Sequence, residues 1–171
     1  ATTGETFVLA TAGNEESLFH VTGLLKNEYG LRAKLSESWS LQPQRHTLYQ
    51  GRYALVYHPF TYRTLADMLC MPPGTIPEFL SCAVKLSATL SMVHQHGLVH
   101  GDIKPANFFF NDEGDVRLGG FGLSLIQNDL LQQSSIPVSG GTLAYMSPEH
   151  TYRSSHPVDK ISDLYSLGIV L

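Results

Sequence analysis

His100-Gly101-Asp102-Ile103-Lys104-Pro105-Ala106-Asn107 is the stretch that decides the reading of this chain. It brings a histidine, a carboxylate, an ammonium and an amide together in one short loop, and regular structure is expected on both sides. Upstream, Pro77 stands at the start of a long helix running to about His96, with Phe79, Leu80, Ala83, Leu86, Leu90 and Val93 on its buried side. A proline is tolerated there because the first N–H groups of a helix have no partner to lose. Gly97 ends the helix. Downstream, Phe108–Phe110 and Val116–Leu118 read as a hairpin turned at Asn111-Asp112-Glu113-Gly114-Asp115.

Outward from this centre, Phe7–Ala12 reads as a strand and Glu15 to about Leu35 as a helix, with Leu18, Val21, Leu25 and Tyr29 forming one apolar stripe. Asn14 fits its N-cap, and Glu15 and Glu16 suit its positive end. Two strands follow, His46–Tyr49 and Tyr53–His58, joined at Gln50-Gly51-Arg52, and then a short helix Thr64–Leu69. The stretch Ser124–Ser139 is polar and loop-like, and Ser162–Leu171 is apolar and starts a buried helix. Strands with one helix come first and mostly helix afterwards, which is an α+β organisation in two parts.

Composition excludes several classes. The chain has 171 residues with 43% hydrophobic content, enough for one domain with a core. Its 11 basic against 15 acidic residues leave a net charge of −4, and nucleic-acid binding would need a basic face instead. The longest apolar runs fall short of the ~18 residues of a membrane span, so no membrane segment is expected. Cys70 and Cys82 lie in no metal or redox spacing and read as small buried hydrophobes of a cytoplasmic protein. His94-Gln95-His96 with His100 makes a poor zinc set, because the third position leaves the helix face and no cysteine accompanies it.

Three more motifs follow the loop in order. Gly120-Phe121-Gly122 comes first, then Gly141-Thr142-Leu143-Ala144-Tyr145-Met146-Ser147-Pro148-Glu149, then Ser162-Asp163-Leu164-Tyr165-Ser166-Leu167-Gly168. Together the four resemble a protein kinase of the Ser/Thr type: the catalytic loop H-R-D-x-K-P-x-N, the D-F-G motif, the end of the activation segment, and the start of the large buried helix. The resemblance implies a two-lobed kinase-like fold truncated at both ends. Residues 1–60 would be a partial small lobe with its hinge and residues 61–171 a partial large lobe. It also implies roles: Asp102 as base, Lys104 as stabiliser of the transferring phosphoryl group, Asn107 as magnesium ligand. Val8, Tyr57, His58, Phe60 and Phe109 would surround ATP, with Tyr57 as the gate before the hinge and Phe109 beneath the adenine. Glu28, His100, Phe121, Glu149 and Asp163 would be structural. Within the family, Leu25-Lys26-Asn27-Glu28-Tyr29, Arg117–Ser124 and the run from Gly140 to Thr151 are most similar to the N-terminal kinase-like domains of hybrid sensor histidine kinases, bacterial and fungal.

Three positions depart from the family pattern. Gly120 stands where an Asp would ligate magnesium, Ala10 where a lysine would bind phosphate and pair with Glu28, and Gly101 where an Arg would meet a phosphorylated activation loop carrying Ser134, Ser135, Ser139 or Thr142. The expectation is therefore a degenerate pseudokinase, a regulatory module whose partners are other domains of a larger chain or a separate protein, with ATP and magnesium doubtful. The alternative is an active Ser/Thr kinase transferring the γ-phosphate of ATP to protein hydroxyls. A chain lacking part of its large lobe would also expose Leu164, Leu167, Ile169 and Leu171.

Overall fold

The computed structural model describes residues 7–12, 18–59, 61–70, 74–127, 141–151 and 156–171. The expected cap at Asn14 with Glu15 and Glu16, the hinge residue Phe60, and Ser134, Ser135 and Ser139 lie outside the described residues.

A consecutive apolar run and a two-residue turn build the first sheet. β1 (Val8–Thr11), β2 (Arg45–Tyr49) and β3 (Arg52–Tyr57) form an antiparallel sheet in the order β1-β3-β2, with Val8 opposite Tyr57 and Ala10 opposite Leu55. Gln50 and Gly51 take φ of 49° and 76°, the left-handed pair whose twist matches that of the strands they join. Residues Ala54, Leu55, Val56 and Tyr57 are buried. They lie under α1 (Leu18–Gly30), which contributes buried Leu25 and Glu28. The helix ends before the expected limit at about Leu35. It stops at Gly30, and Leu31 and Leu35 turn away to join Trp39 in a second, larger core.

The segment after α1 joins the two cores. Trp39 O accepts from Leu118 N–H at 2.9 Å, and Leu41 N–H returns a bond to Leu118 O at 2.8 Å, with Ser40 bridged to Leu118 in parallel. From α1 itself, Asn27 Nδ2 donates to the carbonyls of Gly122 and Ser124, at 2.9 and 3.0 Å.

Beyond β3, β4 (Arg63–Thr64) leads into α2 (Leu65–Leu69), started by a reciprocal cap between Thr64 and Asp67. Thr75 and Glu78 cap α3 (Ile76–Gln95) in the same way. Such caps satisfy N–H groups that a helix leaves unpaired. Leu86, Thr89, Leu90 and Val93 are buried on α3. Phe79 and Leu80 are 49% and 55% exposed, against expectation, because the first turns of α3 extend past the elements it packs on. Gly97 ends the helix at φ 72°. β5 (Leu98–Val99), β6 (Phe108–Phe110) and β7 (Val116–Leu118) follow, with β4-β6-β7 forming one small sheet. β8 (Leu125–Ile126) pairs with β5, giving strand structure to the start of a stretch read as loop. Asp159 caps α4 (Lys160–Val170). On α4 and at the residue after it, Leu164, Ile169 and Leu171 are exposed as expected, but Leu167 is buried in the main core.

Two composition readings need correction. Among the described residues α3 is long and apolar enough to cross a membrane, where no such segment was expected; here it lays Leu86, Leu90 and Val93 into the core. Cys70 is exposed rather than buried, being at the end of α2, and Cys82 is half-buried.

Candidate functional site

The loop from His100 is held from beneath by buried polar groups. His100 is fully buried; its Nδ1 accepts from the Asp102 N–H at 3.2 Å and its Nε2 donates to Gly119 O at 3.1 Å. That assigns the neutral tautomer with the proton on Nε2. Burial holds its pKa below 6.5 despite the nearby Asp163 and Asp102 charges, so the ring is a strut and not a base. Asp163, on α4, gathers three donors: the N–H of His100 at 2.8 Å, the N–H of Gly101 at 2.9 Å and His94 Nε2 at 2.9 Å. Phe121 is fully buried between the rings of His100 and Trp39, with centroids 4.8 and 6.1 Å away. Gly101 has φ 77°, and a Cβ there would lie 2.9 Å from Leu123 O. Glycine is therefore the residue this backbone accepts most easily. Glu149 takes a 2.6 Å hydrogen bond from the Ser162 hydroxyl.

On this support Asp102, Lys104 and Asn107 converge. Lys104 Nζ lies 2.6 Å from Asp102 Oδ2 and donates to Thr142 Oγ1 at 3.0 Å. Asn107 Nδ2 donates to Asp102 O at 2.7 Å and to Asp102 Oδ2 at 3.2 Å. A carboxylate fixed by an ammonium and an amide can accept a proton from a hydroxyl, and the ammonium can neutralise an anion transferred beside it. Next to them Gly120 sits at φ 78°, where a Cβ would meet the Asn107 amide at 2.9–3.0 Å. Asp112 and Asp115 stay on the exposed hairpin turn.

These groups form one end of a cavity of about 510 Å³. Val8, Ala10, Leu24, Leu25, Leu41 and Phe109 make its largely apolar wall, and Glu28 and Tyr57 also line it. Glu28 is not left without a partner: Tyr57 Oη donates to Glu28 Oε1 at 2.9 Å. The tyrosine read as a gate is thus also the acid's hydrogen-bond donor. Burial pushes the Glu28 pKa from 4.5 up to about 7, with the Tyr57 hydroxyl and the Phe121 backbone only partly opposing it. Burial beside that acid also drives the Tyr57 pKa well above 10, so the phenol stays a neutral donor. His58 does not join this cavity. It is exposed just past the end of β3 and faces a separate polar cavity of about 450 Å³ with Gln42, Tyr62 and Arg117. Leu41, the Asn27 anchor and the Thr142 contact to Lys104 escaped the sequence reading; Asn27 and Thr142 carried a signal, in the Leu-Lys-Asn-Glu-Tyr and Gly-Thr-Leu-Ala-Tyr runs.

Residues 49–171 match the family described as Protein kinase domain. The chain belongs to the protein kinase family. It is 40% identical over 99 residues to the DNA damage-responsive serine/threonine-protein kinase RqkA of Deinococcus radiodurans, covering 58% of this chain and 14% of that protein. It is 35% identical over 124 residues to the serine/threonine-protein kinase PknL of Mycobacterium tuberculosis, covering 67% and 30%. A third relative, the dual specificity mitogen-activated protein kinase kinase jkk-1 of Caenorhabditis elegans, is 36% identical over 99 residues, covering 56% and 22%. The kinase domain is of the Ser/Thr type, and the chain spans between 14% and 30% of the length of these relatives.

Proposed function

We propose that this kinase domain is a degenerate regulatory module that does not turn over ATP at a normal kinase rate. The observation that carries the reading is the Tyr57–Glu28 hydrogen bond beside Ala10, where an acid of the cavity wall is partnered by a neutral phenol in place of a lysine. Among the described residues lining the cavity the one cation is Lys104, already paired with Asp102. Magnesium needs an octahedron of hard oxygen ligands. The amide oxygen of Asn107 and a carboxylate held by lysine are a poor donor set for it, so the residues present do not fit a magnesium–triphosphate. Phosphate-directed electrostatic groups are often worth 10²–10³ in rate each, about 3–4 kcal/mol. Losing two of them leaves little of an ordinary rate. The division into a small lobe over residues 1–60 and a large lobe over 61–171 belongs to the same proposal, as does a cytoplasmic location. So do a partner within a longer chain and a place ahead of a histidine-kinase core, which the residues downstream in the parent protein would test.

A second reading, an active Ser/Thr kinase, is favoured by the close assembly of Asp102, Lys104 and Asn107. Magnesium-dependent ATP binding by thermal shift and phosphotransfer by the full-length protein separate the two, with Asp102→Asn as control. The module reading expects weak or no binding and transfer. Robust turnover abolished by Asp102→Asn would overturn it.

A further inference from the structure

The cavity that poorly suits a magnesium–nucleotide has a chemistry of its own. Its wall is apolar through Val8, Leu24, Leu25, Leu41 and Phe109, and its volume of about 510 Å³ falls within the usual range for small-molecule sites. At one place that wall is broken by Glu28, 5% exposed, whose carboxyl meets the Tyr57 hydroxyl and no cation among the described residues. Ala10 on β1 lines the same cavity and offers only a methyl group. A buried carboxylate facing an apolar cavity is stabilised most by a charge of opposite sign delivered with its own apolar body, whose attraction offsets the desolvation cost of the pair.

We propose that this cavity binds an amphipathic organic cation, a flat apolar body bearing one protonated amine that pairs with Glu28. The proposal rests on the reading that the cavity is not a magnesium–ATP site. The groups facing Glu28 leave the pairing to the ligand. Tyr57 on β3 and the Phe121 backbone are neutral donors, β1 brings Val8 and Ala10, and Asp102 and Lys104 from the loop neutralise each other. On α1 itself Lys26 is turned to the Tyr53 ring, 5.8 Å from its centroid. A bound ammonium holds Glu28 ionised, so binding releases protons near neutrality and tightens as pH rises.

The test uses the full-length protein and two isosteric probes, tryptamine and the uncharged alcohol tryptophol, with magnesium–ATP as a third arm, all by calorimetric titration. Tryptamine should bind about tenfold or more tightly than tryptophol. Its affinity should rise roughly tenfold from pH 6 to pH 8, following the ionised fraction of Glu28. Glu28→Gln should erase the preference for the amine, and Ala10→Lys, which supplies the cation from the chain itself, should erase it independently should the first variant fold poorly. Equal affinity for the two probes, a preference for the alcohol, or no binding of either overturns the inference, and with ATP also unbound it does so while the regulatory reading stands. Tight magnesium–ATP binding with turnover overturns the regulatory reading whatever the amine does.

Discussion

Replacing Glu28 by glutamine should make this protein more stable at alkaline pH, although it alters a buried, hydrogen-bonded side chain. The carboxyl titrates at about 7 in the folded chain against 4.5 when free, the rise coming from burial. Between those values the folded state keeps a proton that the unfolded chain has already released. Stability therefore falls as pH climbs through that window, and below it the group makes no difference. At ~1.36 kcal/mol per pH unit, the full penalty is on the order of 3 kcal/mol by pH 8. A carboxamide has nothing to ionise, and its oxygen can still accept from the Tyr57 hydroxyl. Urea denaturation followed by the fluorescence of Trp39, the single tryptophan of the chain, should give equal stabilities for the native sequence and Glu28→Gln near pH 4. The variant should lead increasingly as pH rises, by roughly 3 kcal/mol at pH 8. Parallel curves, or a variant weaker at pH 8, would refute the argument that desolvation dominates at this position.

Asp163→Asn should lower stability by about 1–3 kcal/mol in the same assay, because its amide offers one acceptor oxygen to the N–H groups of His100 and Gly101 and turns a donor toward the other. Gly101→Ala should cost at least ~1–2 kcal/mol from the left-handed backbone alone, with the Leu123 carbonyl contact in addition; an unchanged denaturation midpoint would contradict the geometry. Gly120→Asp combined with Ala10→Lys should restore magnesium-dependent ATP binding, read as a thermal shift, whereas Gly120→Asp alone should only crowd Asn107. Thr75→Ala should remove about 1 kcal/mol by opening the cap of α3, measurable as a lowered melting temperature.

The elements were largely legible because their signals are local. Gln50 and Gly51, and Gly97, each act within a few residues, and the structure uses them as the sequence suggests. The His100–Asn107 loop was legible for the same reason, its polar spacing being short. What could not be read depends on pairs far apart in the chain. Tyr57 and Glu28 are 29 residues apart and meet only because α1 lies on β3, so nothing near Glu28 announces a phenolic partner. His58 leaves the cavity because β3 ends at Tyr57, a boundary that apolar patterning does not set to one residue. Phe79 and Leu80 carry the same periodicity as Leu86 and Leu90. Periodicity marks a stripe, but not where the neighbouring element stops.

The side chain of Asn27 grips two carbonyls, those of Gly122 and Ser124, with a single nitrogen. An outward pull on α1 would load both of these bonds together with the Phe121 backbone bond to Glu28, so the helix is tied at adjacent points to the residues that follow Gly120.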